Sequence, residues 1–362
     1  MDFKSISSLI SKSNKIFISS HINPDGDSLG SSYAVYHLLS QLGKDCMIIN
    51  HSPLPKMYNF LNKENIFYEH NSETAAFIKN SDLGIILDIG DFYRLGDVAL
   101  LLDEIENIEL LNIDHHNITD LKKFDYNFIN TKSSSVGEII YELVINEFDN
   151  YMSKEILEGI YIAVLTDTGS FKHNNTTELS HLIAKESIKR GVDTTKIYQS
   201  IYENSSRSRI KLLGNVIQNL KFDCNNQLVW FGVNQDMIKE VGGSNEDFEG
   251  FTDFFRSING VEISLMLYDL KGKVRISLRS KGLYKVDELA KQMGGGGHPY
   301  ASAALIEGDF SEVKKSVLNL GLGGARSCRR AMFPNQGRAH SANRAQKMPF
   351  RLADAVHPPH RQ

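Results

Sequence analysis

The sequence predicts an α/β protein, with a parallel sheet and its covering helices first and a smaller α/β domain after them. In the first two hundred residues, short apolar runs that end in polar or turn residues alternate with segments of helical apolar spacing. Buried parallel strands and their crossover helices have this pattern. The 362 residues, of which 41% are hydrophobic, are enough for two or three domains with cores of their own.

The elements of the first part follow in chain order. Strands are predicted at 15–20, 45–50, 83–88 and 109–114, which read KIFISS, DCMIIN, LGIILD and ELLNID. Between and after these strands, apolar residues recur at helical spacing in 29–43, 94–106, 136–148, 154–165, 177–190 and 208–220. The apolar period lapses around 223–227, which indicates a domain boundary.

Beyond that boundary a second set of elements is predicted. Strands fall at 228–233, 261–269 and 273–280, and helices at 245–258 and 286–293. These elements indicate the smaller α/β domain.

Charge divides the chain unevenly. Residues 325–362 contain 8 of the 40 Lys and Arg but one of the 44 acidic residues, so this segment has a net charge of +7 and the rest of the chain −11. The segment has no apolar period, which predicts disorder, and its change of composition after Gly323-Gly324 indicates a fusion scar or a frame-shifted or expression-derived end. A functional basic arm for nucleic acid is the alternative. The acidic body argues against a protein that grips long duplex nucleic acid by neutralising phosphates.

Other classes of protein are also excluded. No run approaches the ~18 consecutive apolar residues of a membrane helix, and the first twenty residues lack the apolar core of a signal peptide. We therefore expect a cytoplasmic protein without membrane association. The three cysteines are not in C-x-x-C spacing, so no Cys-based zinc site is predicted.

Four motifs place Asp or His at the end of an apolar run, where parallel sheets bind their ligands. They are HINPDGD with His21, Asp25 and Asp27, LDIGD with Asp88, NIDHH with Asp114, His115 and His116, and LTDTGSF with Asp167. Taken singly, each motif could be a turn, a helix cap or a pair of surface histidines. Together they offer eight candidate ligands, enough for two metal ions. Asp mixed with His suits divalent transition metals, and Mn²⁺ fits this mixture best.

Such a pair of ions predicts a class of reaction. Two cations about 3.5–4 Å apart can bridge a hydroxide and stabilise both oxygens of an in-line displacement at phosphorus. The predicted chemistry is therefore phosphoester hydrolysis.

A fifth motif, GGGGH at 294–298, lies in the second domain. Four consecutive glycines would let the backbone approach an anion closely and present N–H groups to it. A flexible connector is the alternative. His298, with Arg279 in the run SLRSK, would add charge-assisted contacts to a phosphate or carboxylate.

In this order, the motifs HINPDGDSLGS, LDIGD, NIDHH, LTDTGSF and GGGGH resemble the DHH phosphoesterase family, named for the triplet found here as Asp114-His115-His116. The resemblance covers nearly all of residues 1–322. It implies a DHH catalytic domain with a five-stranded parallel sheet at 1–200, a helical linker at 201–226 and a DHH-associated substrate-binding domain at 227–322. The active site is expected between the two domains.

The resemblance also implies roles for individual residues. One Mn²⁺ would be held by His21, Asp25 and Asp88, and the other by Asp27, Asp88, His115 and Asp167, with Mg²⁺ or Co²⁺ as replacements. Asp114 would orient a histidine, and His116 would act beside the scissile phosphate. The expected substrate-binding residues are Arg279, Ser280, Gly295, Gly296, Gly297 and His298.

Within the family, the compact length resembles the NrnA-like branch, whose members degrade very short RNAs and dephosphorylate phosphoadenosine phosphate (pAp). The expected partners are therefore short single-stranded RNA or dinucleotides and pAp, together with a homodimer. Two alternatives stay open at this point. One is a phosphodiesterase of cyclic or linear dinucleotides, and the other is a nucleotide-binding regulator that performs no chemistry.

Overall fold

The structure is a computed structural model that describes residues 2–105, 107–117 and 121–321. It divides into two compact units, Met1–Asn204 and a second that begins at Ser205. The predicted division into catalytic domain, helical linker and substrate-binding domain stays a prediction. The expected disordered or foreign end at 323–362 lies outside the described residues.

The first unit contains one sheet and eight α-helices within the described residues. The strands are β1 (Lys15–Ser20), β2 (Asp45–Asn50), β3 (Phe67–Glu69), β4 (Leu83–Leu87), β5 (Glu109–Asp114) and β6 (Tyr126–Ile129). The helices are α1 (Phe3–Lys12), α2 (Gly26–Gln41), α3 (Ser72–Lys79), α4 (Asp97–Asp103), α5 (Val136–Glu147), α6 (Lys154–Asp167), α7 (Glu178–Lys189) and α8 (Thr194–Tyr202).

All strands of this sheet are parallel, in the order β3-β2-β1-β4-β5-β6. The chain order reverses at β1, which pairs with β4 so that Ser20 lies opposite Leu87. At such a switch point the connections leave in opposite directions, and a crevice opens at the carboxyl ends of the strands. Residues that follow β1, β4 and β5 therefore share one edge of the sheet.

Apolar side chains cover both faces of the sheet. Alternation along β1 sends Ile16 and Ile18 into the cluster formed with α2, α5 and α6, while Phe17 joins the cluster on the opposite face. All three side chains are fully buried. Helices on both faces of a parallel sheet are what the alternating pattern predicted, and the predicted fold class is confirmed.

Three details of the first unit differ from the predictions. β4 ends one residue early because Asp88 has a φ of +56°, outside the strand region. The sheet has six strands rather than the implied five, since β3 and β6 are edge strands of 3 and 4 residues that show no apolar run. The helix predicted at 94–106 is wrong at its start, because Gly96, with a φ of +63°, separates a 3-10 turn at Phe92–Leu95 from α4.

The second unit also contains one six-stranded sheet within the described residues. Its strands are β7 (Lys221–Asp223), β8 (Leu228–Val233), β9 (Ile263–Asp269), β10 (Lys273–Ser280), β11 (Gly296–His298) and β12 (Ala301–Glu307). The helices are α9 (Arg207–Gln218), α10 (Gln235–Glu240), α11 (Phe251–Arg256), α12 (Asp287–Gln292) and α13 (Phe310–Gly321). The helix predicted at 245–258 is interrupted, because Gly250, with a φ of +76°, separates a 3-10 turn at Asn245–Phe248 from α11.

The second sheet has the order β11-β12-β10-β9-β8-β7, and all its pairs are antiparallel except β8 with β9. One face packs against α12 and α13 through residues such as Leu265 and Ile276, and the other packs against α9, α10 and α11 through Phe231 and Met266. Among the residues that the structure describes, every helix is too short or too polar to span a bilayer.

Candidate active site

Three neighbouring strands of the first unit deliver polar groups to one edge of the sheet. His21 follows β1, Asp88 follows β4, and the Asp-His-His triplet begins at the end of β5. His21 Nε2 lies 3.7 Å from Asp88 Oδ2. His115 Nε2 lies 3.6 Å from Asp88 Oδ1. Asp88 therefore stands between imidazoles that come from two different strand ends.

Two antiparallel helices bring further carboxylates to the same place. Asp27 lies in the first turn of α2, and Asp167 is the last residue of α6. The two helices touch through their backbones, because a Cβ built on Gly30 would lie 2.4 Å from the carbonyl oxygen of Gly159. This close approach holds the start of α2 beside the end of α6. His115 Nε2 consequently lies 3.6 Å from Asp27 Oδ2 and 4.0 Å from Asp167 Oδ2.

Asp25 caps α2 and also faces a histidine. Its Oδ1 accepts hydrogen bonds from the N–H groups of Asp27 and Ser28, at 3.1 and 3.2 Å. Its Oδ2 lies 3.7 Å from His21 Nε2. The His21 ring is held by its Nδ1, which lies 2.8 Å from the carbonyl oxygen of Ile22 and donates to it. With Nδ1 engaged in this way, Nε2 is the ring atom that faces the carboxylates.

Asp88 carries the clearest mark of a missing positive charge. The residue is 2% exposed, and its Oδ1 makes no hydrogen bond within the described part of the chain, although His116 Nδ1 lies 3.3 Å from it. The same is true of His115 Nε2. Buried polar atoms without partners destabilise a fold, and the left-handed backbone of Asp88 adds strain of order 1–3 kcal/mol. A cation that binds both atoms would satisfy them.

The electrostatics of the carboxylates agree with this interpretation. Burial raises the pKa of Asp167 to about 8, and the charge of Asp27 adds to the rise. The pKa of Asp27 is also raised well above its ordinary range, first by burial and then by the charge of Asp88. Burial opposes charge on His21, but the carboxylates of Asp25 and Asp88 outweigh it and raise the pKa of that histidine to about 10. Crowded acidic groups repel one another, and a divalent cation among them would remove that repulsion.

Three sets of side chains have ligand atoms within 4.8 Å of one another in the described residues. They are His21 with Asp25 and Asp88, Asp27 with His115 and Asp167, and Asp88 with His115 and His116. Imidazole nitrogen and carboxylate oxygen in these sets suit a divalent transition metal. The donor chemistry and the unpartnered atoms therefore fit the metal that the motifs imply.

Asp114 belongs to none of these sets. It is fully buried, and its Oδ2 accepts hydrogen bonds from the N–H groups of Ile89 and Gly90, at 2.9 and 2.8 Å. Hydrogen bonds from Gly90 and from His116 hold the pKa of Asp114 at about 2, although burial opposes this. Its position is that of a group that holds other residues of the site in place.

Sequence reasoning missed two polar residues beside these groups. Asn175, on the exposed loop before α7, donates from Nδ2 to Asp167 Oδ2 at 3.0 Å. Arg94 donates from Nη1 to the carbonyl oxygen of Ile89 at 3.1 Å, and this nitrogen lies 3.3 Å from where a Cβ on Gly90 would stand. Neither residue follows an apolar run, so no strand-end pattern could have indicated it.

The substrate-binding residues predicted in the second unit lie around β10 and β11. Arg279 donates from Nε to Asp253 Oδ2 at 3.3 Å, and Asp253 also pairs with Arg256 at 3.3 Å. Ser280 is buried, with its Oγ accepting from the N–H of Gly282 at 3.2 Å. Sequence reasoning missed Asp253 and Arg256, which stand on α11 without any motif.

The glycine-rich run has an internal role in the second unit. A Cβ on Gly295 would lie 2.1 Å from the carbonyl oxygen of Ala303, so β12 packs directly on the glycine backbone. The N–H of Gly295 donates to the carbonyl oxygen of Ala290 at the end of α12. Gly296 differs, since a Cβ there would meet nothing within 4 Å. His298 lies in β11 with its backbone opposite Ala301, which lies opposite Arg279.

Two domain matches decide the family. Residues 15–164 match the DHH family, N-terminal domain, and residues 234–320 match the DHHA1 domain. The chain belongs to the DHH phosphoesterase family. As a DHH protein it is a metal-dependent hydrolase, and the histidines and aspartates at the strand ends described above lie within or next to the DHH match.

Similar proteins of known name extend over most of this DHH chain. The bifunctional oligoribonuclease and PAP phosphatase NrnA of Thermus thermophilus is 27% identical over 304 residues, which are 84% of this chain and 88% of that protein. The protein of the same name from Bacillus subtilis is also 27% identical over 304 residues, which cover 82% and 91% of the two chains.

Solved structures agree with the DHH fold. The crystal structure of an exopolyphosphatase-related protein from Bacteroides fragilis superposes with a TM-score of 0.82 at 26% identity, covering 87% of this chain and 95% of that one. The exonuclease RecJ bound to manganese gives a TM-score of 0.54 at 14% identity over 91% and 95% of the chains, which supports the fold alone.

Proposed function

We propose that this DHH protein hydrolyses short oligoribonucleotides to mononucleotides and also dephosphorylates pAp, with two Mn²⁺ ions as cofactors. The convergence of imidazoles and carboxylates on Asp88 carries the proposal, since four separated motifs supply them. The names of the similar proteins from Thermus thermophilus and Bacillus subtilis support the substrate class. The net charge of −11 before residue 325 favours a short substrate, because a long one needs a basic track.

The proposed ligands form two sets that share Asp88. His21, Asp25 and Asp88 would hold one ion, and Asp27, Asp88, His115 and Asp167 the other. Divalent ions at such a site lower the pKa of water and neutralise charge that develops on phosphoryl oxygens. Mg²⁺ or Co²⁺ would substitute for Mn²⁺ because the donors are a mixture of oxygen and nitrogen.

Other groups of the chain would act on the substrate directly. The contact of Asp114 Oδ1 with His116 Nδ1 turns the opposite ring nitrogen, Nε2, away from Asp114. His116 would then donate a hydrogen bond to the reacting phosphate or to its leaving oxygen. Arg94, whose guanidinium lies beside Gly90, would neutralise a second phosphoryl oxygen.

Residues of the second unit would hold the rest of the substrate. Arg279, on β10, is 30% exposed and offers guanidinium N–H groups to a phosphate. Ser280, Gly295, Gly296, Gly297 and His298, in or beside β10 and β11, are the further residues that we propose for binding the substrate. This assignment predicts that second-unit variants change KM while metal binding in the first unit is unchanged.

A direct assay tests the proposed function. The purified protein is incubated with and without Mn²⁺ on a labelled RNA ladder, on pAp and on a cyclic dinucleotide, with Asp88→Asn as the inactive control. Mn²⁺-dependent release of mononucleotides from the shortest RNAs, together with phosphate from pAp, is the expected result. Turnover of the cyclic dinucleotide alone would instead indicate a phosphodiesterase of cyclic dinucleotides. Nucleotide binding without any turnover would show a regulator.

A further inference from the structure

One short segment contacts Asp27 and His115 directly and Asp167 through Asn175, and these three side chains form a set that would hold one ion together with the shared Asp88. Residues 133–137 connect β6 to the start of α5, and the set consists of Asp27, His115 and Asp167. These three side chains come from α2, from the turn after β5 and from the end of α6. No single strand or helix carries all three, so the packing of α2 on α6 and the contacts of this segment together set their distances.

The segment reaches two of the three through its carbonyl groups. Ser133 O lies 3.3 Å from His115 Nδ1, which donates to it and turns Nε2 toward the carboxylates. Ser134 O accepts from Asn175 Nδ2 at 3.0 Å, and the same amide donates to Asp167 Oδ2 at 3.0 Å. Asn175 therefore couples Asp167 to the segment.

The third member is held by N–H groups. Asp27 Oδ2 accepts from Val136 N at 2.8 Å, and Asp27 Oδ1 accepts from Gly137 N at 3.1 Å. These are the first N–H groups of α5, where the helix dipole favours a carboxylate. Asp27 is 2% exposed, so its orientation depends on this helix start.

A single buried carboxyl group fixes the segment. Glu138 is 1% exposed, and its Oε2 accepts from Ser134 N at 2.9 Å. Its Oε1 accepts from the hydroxyls of Thr177 and Ser180, at 2.5 and 2.6 Å, at the start of α7. Glu138 therefore joins the segment to α7, and no hydrogen bond or ion pair among the described residues joins its carboxyl group to a member of the ligand set.

We propose that Glu138 is a positioning residue for the set formed by Asp27, His115 and Asp167, acting through residues 133–137. Outer partners that orient metal ligands typically change metal affinity or activity by about 10–100-fold when they are replaced. The set formed by His21, Asp25 and Asp88 has no contact with the segment among the hydrogen bonds and ion pairs of the described residues. The inference rests on the proposed metal centre, in which the segment would then position the ligands of one ion and not those of the other.

The test is a Mn²⁺ titration followed by calorimetry and by electron paramagnetic resonance of unbound Mn²⁺. Wild type is measured first, since a wild-type protein that binds no Mn²⁺ would remove the proposed metal centre itself. Glu138→Gln keeps the size of the side chain but replaces one acceptor oxygen by a donor. We expect one Mn²⁺ to bind about 10–100-fold more weakly and the other to keep its wild-type affinity.

Two further variants separate positioning from folding. Asn175→Ala removes the link to Asp167 from an exposed loop, and Asn174→Ala is a matched exposed control. The first should weaken the same Mn²⁺ as Glu138→Gln at unchanged melting temperature, and the second should change neither. Wild-type affinity for both ions in folded Glu138→Gln overturns the proposal while the metal centre stands. If Glu138→Gln does not fold, the Mn²⁺ affinity of Asn175→Ala is the deciding measurement. Unchanged affinity for both ions in Asn175→Ala would then overturn the proposal.

Discussion

Asp114 Oδ1 lies 2.9 Å from His116 Nδ1 and 2.8 Å from the backbone nitrogen of the same residue. The other oxygen of Asp114 accepts from Ile89 and Gly90 in the loop after β4. One buried carboxylate thus joins the ring proposed to act on the substrate to the loop that carries Asp88. Four donors and no acceptor face it in the described residues.

Asp114→Asn should therefore lower both activity and stability. The amide presents a donor where donors already point, so buried N–H groups lose a partner at about 1–3 kcal/mol. We expect kcat to fall by about 10²-fold or more, as for other groups that orient a catalytic histidine. His116→Ala should lower kcat at nearly unchanged stability. In the double variant the losses of kcat should not add, because Asp114 acts on the reaction through His116 and both changes remove the same function. Additive losses would contradict this shared role.

Mn²⁺ should stabilise the first unit through Asp88. A ligand that binds the folded state raises its stability by about 2.7 kcal/mol at a hundred times its dissociation constant. Asp88→Asn keeps a residue type that tolerates the left-handed φ of +56° but removes a charged ligand shared by both sets. We expect a Mn²⁺-dependent rise of melting temperature in wild type and a much smaller one in the variant. Equal rises in both proteins would show that Asp88 is not a ligand.

Arg94→Ala should affect the substrate and leave the metal in place. The guanidinium lies beside Gly90 and donates to Ile89 O at 3.1 Å. Among the described residues, no hydrogen bond or ion pair joins this guanidinium to a proposed metal ligand. We expect KM for pAp to rise at unchanged Mn²⁺ affinity, with Arg94→Lys intermediate because it keeps charge but loses the planar fork. A loss of Mn²⁺ binding in Arg94→Ala would place this residue in support of the metal instead.

Two neighbouring glycines should respond differently to a methyl group. In Gly295→Ala the new Cβ would meet Ala303 O and Ala304 Cα within 2.1 and 2.6 Å, so β12 must shift. Overpacking of this kind costs about 1–3 kcal/mol. Gly296→Ala meets nothing within 4 Å and is the matched control. Urea unfolding followed by the fluorescence of Trp230, the single tryptophan and part of β8, should separate the two variants; equal midpoints would contradict the packing.

Asp247 should make the second unit sensitive to acid. It is 8% exposed and accepts from Ser206 Oγ, Ser208 Oγ and Ser244 N at 2.5, 3.0 and 2.8 Å. Burial acts against the charge, but these hydrogen bonds outweigh it and lower the pKa of Asp247 below its ordinary 3.8. The ionised form is thus favoured by folding, so its contribution is full above pH 3.8 and is lost as the pH falls through the lowered pKa.

Asp247→Asn should therefore destabilise the second unit at neutral pH by about 1–3 kcal/mol. As the pH falls from 3.8 through the lowered pKa of Asp247, the difference from wild type should shrink, because the wild-type carboxyl group becomes protonated over this range. Unfolding midpoints followed by Trp230 fluorescence at a series of pH values check this. A difference that stays constant with pH would show that the charge does not contribute.

The sequence predicted those parts of the site that local patterns encode. β1, β2 and β5 have their predicted bounds because each is an apolar run between turn residues, and the strand-end rule located His21, Asp88 and Asp114. The edge strands β3 and β6 were not predicted, because 3 or 4 residues are too few to show an apolar period. The helix interruptions at Gly96 and Gly250 were not predicted, because apolar spacing continues across a glycine whose φ is positive.

The supporting contacts could not be predicted for a different reason. Glu138 bonds to residues about forty positions away, and Asp27 bonds to Val136 across 109 positions. Such pairs depend on how α2, α5 and α6 pack, and that packing depends on Gly30 meeting Gly159, for which no periodic signal exists. Local propensity is a weak guide to contacts that tertiary structure decides.

The long separation between Asp27 and Asp167 has a consequence during protein synthesis. A ribosome has to make more than a hundred further residues after Asp27 before the end of α6 exists. Loops of this length close slowly, and domains fold as units once their chain is complete. With the proposed ligands, a nascent chain would acquire its metal only after the whole first unit has emerged. A nascent chain that has not yet completed the first unit would then be unable to cleave RNA.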